Sequence, residues 1–259
     1  VCLDLEDSVP DSQKEEARRM IRGALEARQS YKTEALYVRV NSDAAIKDDL
    51  KAIVHGGIDG IVIPKVNNVK VLRQVEEIVA DLEAPPPGGL GGVIPSIESA
   101  EGVVKTYEIA SFGEESRLRI DCILFGVFDL LADMRMEYSD GVEAARYARA
   151  RAALDARAAG VPAIDGIWQD IRDIRGLEQD CLLGRSLGYA GKSVIHPSQI
   201  DTVHRLFHPT ASEILWAEKV VQVYPKSVQE GRGATVVDNK MIDLVHYKQA
   251  QAVLDLAGR

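Results

Sequence analysis

Acidic residues close most of the short apolar runs in this chain. Asp4, Glu6 and Asp7 follow VCL, Arg39 and Asn41 end YVRVN, and Lys65 follows GIVIP. Glu98 ends VIPSIE, Asp129 ends ILFGVFD, Asp165 ends VPAID, and Lys192 and His196 lie in GKSVIHP. Glu98 and Asp129 close consecutive runs, so on neighbouring strands their carboxylates would converge with water and substrate oxygens between them. That donor set suits a hard cation such as Mg²⁺, which is held by one or two carboxylates plus waters. No His stands beside either acid, so zinc is not suited. Each acid also has an ordinary alternative: Glu98 as a cap for the helix starting at SAEGVVKTY, Asp129 as a local turn acid. Arg39 can grip a carboxylate through two N–H groups, which fits a small dicarboxylate or a 2-oxo acid, or it can pair with Glu6 or Asp7. Lys65 has the chemistry of a Schiff base, although a lysine among acids more often serves as a charge partner. His196 is either an acid/base or the cap of a turn ahead of Pro197.

These residues need a scaffold that brings strand ends together. Short β-branched runs alternate with amphipathic segments: VCLDL then 11–28, ALYVRV then 46–54, GIDGIVIP then 69–82, and GGVIPSIE then 100–110. The alternation continues as DCILFGVFD then 141–159, VPAID then 176–187, and YAGKSVIHP. About seven strand–helix units with short loops predict an α/β fold of the TIM (β/α)₈ type, whose sites lie at the C-terminal ends of the strands. The chain opens on Val1 rather than Met, and one further strand and helix ahead of it would bring the count to eight. A Rossmann sheet would place a glycine-rich turn after its first strand, where this chain has LEDSVPDSQKEEA. The segment 84–92, APPPGGLGG, reads as a loop. Residues 1–208 are expected to form the barrel and 209–259 a helical extension that packs on a neighbouring subunit. Helices are expected at 199–207, 211–224 and 241–256, with no strands between them.

Composition sets the outer bounds. The chain has 259 residues, 46% hydrophobic and 27% charged, with a net charge of −9, so it has ample material for a core and no basic patch for nucleic acid. No run approaches a membrane span. Cys2, Cys122 and Cys181 are far apart and read as reduced thiols, which predicts a cytoplasmic protein, or a mitochondrial matrix one if eukaryotic. There is no Gly-x-Ser-x-Gly elbow, Walker loop or paired-Cys motif.

Taken together, LDLEDSVPDSQKEEAR, LYVRVNS, GIVIPKV, IPSIESAEG, LFGVFDL, GYAGKSVIHPSQI and KMIDLVHYKQAQ resemble, in order and over nearly the whole chain, the citrate lyase β-subunit-like branch of the HpcH/HpaI aldolase superfamily. The resemblance implies a Mg²⁺-dependent TIM-barrel enzyme, usually a homotrimer, that makes or breaks a carbon–carbon bond between an acyl-CoA and a small 2-oxo acid. It puts the Mg²⁺ ligands on Glu98 and Asp129 and the oxo-acid carboxylate on Arg39. Glu6 and Asp7 would shape the site, and Lys65 is a plausible substrate or phosphate contact. Asp243 of KMID would be the base that takes the α-proton of acetyl-CoA, reaching the site of a neighbouring subunit, a role a carboxylate suits if burial raises its pKa. Phe128, before the metal aspartate, and Val245, after MID, depart from commoner family choices. The alternatives to citramalyl- or malyl-CoA cleavage, or malate-synthase-like condensation, are a malyl-CoA thioesterase and a citrate lyase β-type subunit acting on a carrier-bound citryl thioester.

Overall fold

A computed structural model describes residues 1–54, 58–82, 90–136 and 145–258. The chain forms two compact units, Val1–Arg172 with Leu183–Ile195, and Asp173–Leu182 with His196–Arg259.

In the first unit the apolar runs become short parallel strands: β1 (Cys2–Asp4), β2 (Tyr37–Arg39), β3 (Gly60–Ile63), β4 (Gly92–Ile97), β5 (Arg119–Ile120), β6 (Ile123–Phe125), β7 (Ala163–Asp165) and β8 (Gly191–Lys192). They pair in the order β1-β2-β3-β4-β6-β7-β8, with β5 a short side branch on β4 that the sequence did not suggest. Leu3, Val38 and Ile61 stand in register across β1, β2 and β3, as do Ile123 and Ala163 across β6 and β7. No ladder joins β1 to β8 among the described residues. The alternation of side chains shows the curl. Asp4, Arg39, Val62, Ser96, Leu124 and Ile164 come from six strands and line one cavity. Their neighbours Val38, Ile61, Val93, Ile97 and Ile123 are fully buried on the opposite face. A parallel sheet buried on both faces has continuous apolar runs, and this one is curled into a half-barrel of TIM type.

The crossover helices are α1 (Lys14–Glu26), α2 (Ile46–Ile53), α3 (Lys70–Ala80), α4 (Ala100–Val104), α5 (Thr106–Ser111), α6 (Val127–Asp133), α7 (Arg146–Ala158) and α8 (Ile174–Ser186). Apolar residues at helical spacing, such as Ile46, Leu50 and Ile53 or Leu72, Val75 and Val79, turn inward. Two expectations need amendment. The helix expected at 100–110 is broken at Lys105 into α4 and α5. The run ILFGVFD is not one strand: β6 stops at Phe125, Gly126 turns the chain, and Asp129 sits in the first turn of α6. Residues 84–89 of the expected loop and 141–144 of the helix expected at 141–159 lie outside the described residues.

The second unit contains α9 (Ile200–Phe207), α10 (Ala211–Gln229) and α11 (Leu244–Leu256). Contrary to expectation, a two-stranded antiparallel hairpin, β9 (Thr235–Val237) and β10 (Lys240–Ile242), separates the last two helices. Asp238 and Asn239 both adopt positive φ, 48° and 63°, the conformation of a type I′ hairpin turn. Helix α10 also runs past Pro225, where the sequence suggested a stop, because Tyr224 and Ser227 on either side are buried. Its core is Ala217, Val220, Tyr224, Val237, Ile242 and Ala250. No helix among the described residues is long and apolar enough to cross a membrane.

Candidate active site

The loop after β1 carries the acids, and the start of α1 holds that loop in place. Lys14 donates from Nζ to the carbonyls of Leu5 (2.6 Å) and Glu6 (2.8 Å) and to Asn41 Oδ1 (2.8 Å). Asn41 in turn donates from its backbone and side-chain nitrogens to Asp49, at 2.8 and 2.7 Å, and Asp49 also receives Arg18 Nε at 2.8 Å. Asp49 is fully buried. A buried carboxylate is tolerable only when its lone pairs are filled, and here Arg18 of α1 and Asn41 after β2 fill them.

On this footing Glu6, buried, lies between two cations. Its Oε1 accepts from Lys65 Nζ at 2.5 Å and its Oε2 is 3.1 Å from Arg39 Nη1. Exposed Asp7 takes the same lysine at 3.0 Å. The Arg39 guanidinium donates through Nε and Nη2 to the two oxygens of Asp4, each at 2.6 Å. The pairing expected for Arg39 is therefore present for Glu6 and absent for Asp7, and Asp4 is the bidentate partner. Hydrogen bonds to Asp4 hold the Arg39 guanidinium above its ordinary range despite burial. Burial draws the Lys65 ammonium down, but Glu6 and Asp7 outweigh it and hold it high. An ammonium so held is a charge partner and a poor Schiff-base nucleophile. Its backbone, at φ 54°, is left-handed, an unusual conformation for a lysine.

Glu98 and Asp129 face the same cavity, about 680 Å³, which Arg39 and Asp4 also line. Glu98 is buried at the end of β4, and its carboxyl is pushed up by burial first, opposed by a hydrogen bond with Ser96 and raised further by the negative charge of Asp129 and Glu6. The capping role open to Glu98 belongs instead to Ser99, whose Oγ accepts from Gly102 N at 3.0 Å. Gly126 allows the close approach of the two strand ends: its N–H donates to Ile97 O at 2.9 Å, and a Cβ there would lie 2.5 Å from Glu98 Cγ.

This arrangement fits Mg²⁺. Neither Glu98 nor Asp129 has an ion-pair partner among the described residues, and the Glu98 carboxyl, raised by burial and in part by the charge of Asp129, is one whose anion a cation would stabilise. No group of three or more His, Cys, Asp or Glu ligands is present among the described residues. The donors are therefore two carboxylates, a set that Mg²⁺ completes with water and substrate oxygens.

The other strand-end groups serve structure. Asp165 accepts from Arg149 Nε (2.8 Å), Arg149 Nη2, Lys192 Nζ (3.0 Å) and Gly166 N (2.9 Å), all in the buried interior. His196 Nδ1 accepts from Ser198 N at 3.2 Å, the turn-capping alternative. Asp243, in the second unit, is the N-cap of α11: its Oδ1 accepts from Val245 N (3.0 Å) and His246 N (3.3 Å) and lies 2.6 Å from His246 Nδ1. Its carboxyl is exposed, and the His246 hydrogen bond holds it below the usual range. Sequence reasoning missed Lys14 as a support and Asp4 as the partner of Arg39. The equal position of Asp4 and Arg39 on adjacent strands was the only available signal.

The profile of the HpcH/HpaI aldolase/citrate lyase family matches residues 1–197. The chain is 34% identical over 263 residues to the citrate lyase subunit beta of Leuconostoc mesenteroides subsp. cremoris, covering 100% of this chain and 85% of that protein. It is 31% identical to the mitochondrial citramalyl-CoA lyase of Rattus norvegicus, over 98% of this chain and 78% of that one. Among solved structures, protein CitE of Mycobacterium tuberculosis in complex with magnesium, acetoacetate and coenzyme A superimposes with a TM-score of 0.77 at 29% identity, covering 100% of this chain and 90% of that one.

Proposed function

The chain belongs to the HpcH/HpaI aldolase/citrate lyase family, and from that premise we propose that it is a Mg²⁺-dependent lyase. It would cleave a malyl- or citramalyl-type CoA thioester into an acyl-CoA and a small 2-oxo acid, or run the condensation in reverse. The observation that carries this reading is the meeting of Glu98, Asp129 and Arg39 on one cavity at the carboxyl ends of β4, β6 and β2. Two unpaired acids beside a fixed guanidinium are what a 2-oxo acid and a divalent cation require together.

In this reading Glu98 and Asp129 hold the cation, and Arg39 binds the carboxylate of the oxo-acid portion. When bound, Mg²⁺ would supply Lewis-acid stabilisation of negative charge on the oxygen attached to the carbon whose carbon–carbon bond is broken or made. Glu6 and Lys65 keep Arg39 and Asp7 in place around that point. In cleavage the carbon–carbon bond breaks, the substrate hydroxyl loses its proton and the α-carbon of the acyl-CoA gains one; in condensation these transfers reverse. Asp243 is the proposed acid/base at the α-carbon, contributed by a neighbouring copy in a homotrimer. Three free cysteines fit a reducing compartment, the cytosol or a mitochondrial matrix.

The test is turnover of malyl-, citramalyl- and citryl-CoA by the purified protein with and without EDTA, following both oxo acid and free CoA. Oxo-acid release that EDTA abolishes supports the lyase. Free CoA without oxo acid would make the protein a thioesterase, and silence on every ester would point to a citrate lyase β-type subunit that needs a carrier-bound substrate.

A further inference from the structure

Asp4 has no role in the reaction as described so far, yet it is the most completely bonded carboxylate at the cavity. Its Oδ1 accepts from Glu6 N at 3.0 Å and Arg39 Nε at 2.6 Å, and its Oδ2 from Ser8 N at 3.4 Å and Arg39 Nη2 at 2.6 Å. Two backbone amides of its own turn therefore set the orientation of the carboxylate, and the guanidinium takes its plane from that carboxylate. Burial pushes the Asp4 carboxyl up, but these hydrogen bonds, Arg39 foremost, bring it down to about 2, so the anion persists at any working pH.

A guanidinium has two forked edges, one formed by Nε with a terminal nitrogen and one formed by the two terminal nitrogens. Asp4 occupies the first. Glu6 approaches Nη1 at 3.1 Å as an ion pair. Among the described residues Nη1 and Nη2 share no other acceptor, and Arg39 lines the cavity with Glu98 and Asp129. Asp4 could in principle be an internal competitor in the place of the substrate carboxylate, or a fixed abutment that aims the arginine. The bonding decides between them. A competitor must swing away when substrate arrives, whereas Asp4 is tied to its own turn by two amides. Its pairing leaves the terminal edge of Arg39 without a shared hydrogen-bond acceptor among the described residues, Glu6 standing beside Nη1 only as an ion-pair neighbour.

We propose that Asp4 is the positioning residue of this site: it clamps the side edge of Arg39 so that the terminal edge is presented to the carboxylate of the 2-oxo acid. This rests on the reading of Arg39 as the carboxylate-binding residue.

The experiment is calorimetric titration of pyruvate, glyoxylate and oxaloacetate into the full chain with Mg²⁺, for wild type, Asp4→Asn, Asp4→Ser and Arg39→Lys. Asn and Ser keep a side-chain oxygen for the turn amide but cannot form the two-pronged clamp. Both variants should bind the oxo acid at least about tenfold more weakly, the loss of a charge-assisted hydrogen bond. Mg²⁺ affinity should be unchanged, and in turnover KM should rise by more than kcat falls. Tighter binding in the Asp4 variants would make Asp4 a competitor and overturn the proposal. Wild-type affinity in the Asp4 variants alongside weakened binding in Arg39→Lys would sink the proposal alone. Wild-type affinity in Arg39→Lys, or no binding of any acid to wild type, would sink the reading of Arg39 on which it rests.

Discussion

Gly126→Ala tests the metal site without touching a ligand. Gly126 sits at φ −104° and ψ 97°, an extended conformation open to alanine, so the substitution brings no backbone strain. It brings a collision: the new Cβ would lie 2.5 Å from Glu98 Cγ, 3.0 Å from Cδ and 3.3 Å from Oε1. Carbon–carbon contacts are comfortable from about 3.5 Å, so Glu98 or the turn between β6 and α6 must yield by roughly 1 Å. Overpacking of this kind costs about 1–3 kcal/mol of stability, and a misplacement of about 1 Å in a catalytic constellation costs on the order of a hundredfold in rate. Gly126→Ala should therefore stay folded, lower Mg²⁺ affinity measured by calorimetry, and lose about a hundredfold in Mg²⁺-dependent turnover. Gly23→Ala is the matched control: Gly23 lies inside α1 with nothing within 4 Å of its would-be Cβ, and alanine there should stabilise by about 0.5–1 kcal/mol. Wild-type Mg²⁺ affinity and turnover in Gly126→Ala would show that the close approach of Glu98 to the α6 turn does not matter to the site.

Three further outcomes are expected. The Glu98 carboxyl is raised above its ordinary 4.5 by burial and by the charge of Asp129, so the folded protein binds that proton more tightly than the unfolded chain. The metal-free protein should consequently lose stability as pH rises from 4.5 through the folded value, Glu98→Gln should remove that loss, and Mg²⁺ affinity should fall as pH drops into the same window; thermal melts and calorimetry at several pH values check all three. Asp49→Ala leaves Arg18 and two Asn41 donors without their buried acceptor and should cost about 3 kcal/mol in urea unfolding, whereas a loss under about 1 kcal/mol would mean the network is dispensable. Asp243→Asn keeps an N-cap side chain, so it should leave the melting temperature and Mg²⁺ binding intact while reducing α-proton exchange of acetyl-CoA, and undiminished exchange followed by NMR would remove Asp243 from the reaction.

What could be read from the sequence divides along physical lines. Strand–helix alternation is a local pattern repeated many times, so the barrel class and most crossover helices were legible from it. Asp129 was assigned to a strand because ILF and VFDLL form one apolar run; the break lies in Gly126, whose meaning depends on the approach of Glu98 from another strand. The β9–β10 hairpin was overlooked because its Asp-Asn turn lacks the usual glycine, although TVV and KMI alternate as strands do. Strand-end position alone could not separate Asp129 from Asp165. One is exposed at the cavity; the other is buried against Arg149 and Lys192. Burial is a tertiary property, and it turned one acid toward chemistry and the other toward structure.

Much of the charge around the cavity serves positioning. Asp4 of β1 and Glu6 and Asp7 of the loop after it neutralise Arg39 and Lys65, so these acids do not compete with Glu98 and Asp129 for a cation. A free Lys65 near Glu98 would satisfy that carboxylate and weaken any metal bound to it, and Glu6 prevents this by holding the ammonium at 2.5 Å. Lys14 holds the backbone that holds Glu6. Arg39 and Lys65 are thus tied to Asp4, Glu6 and Asp7, and Glu98 and Asp129 are left without an ion-pair partner among the described residues. A divalent cation needs two such carboxylates, and a substrate carboxylate needs the arginine edge that Asp4 leaves open.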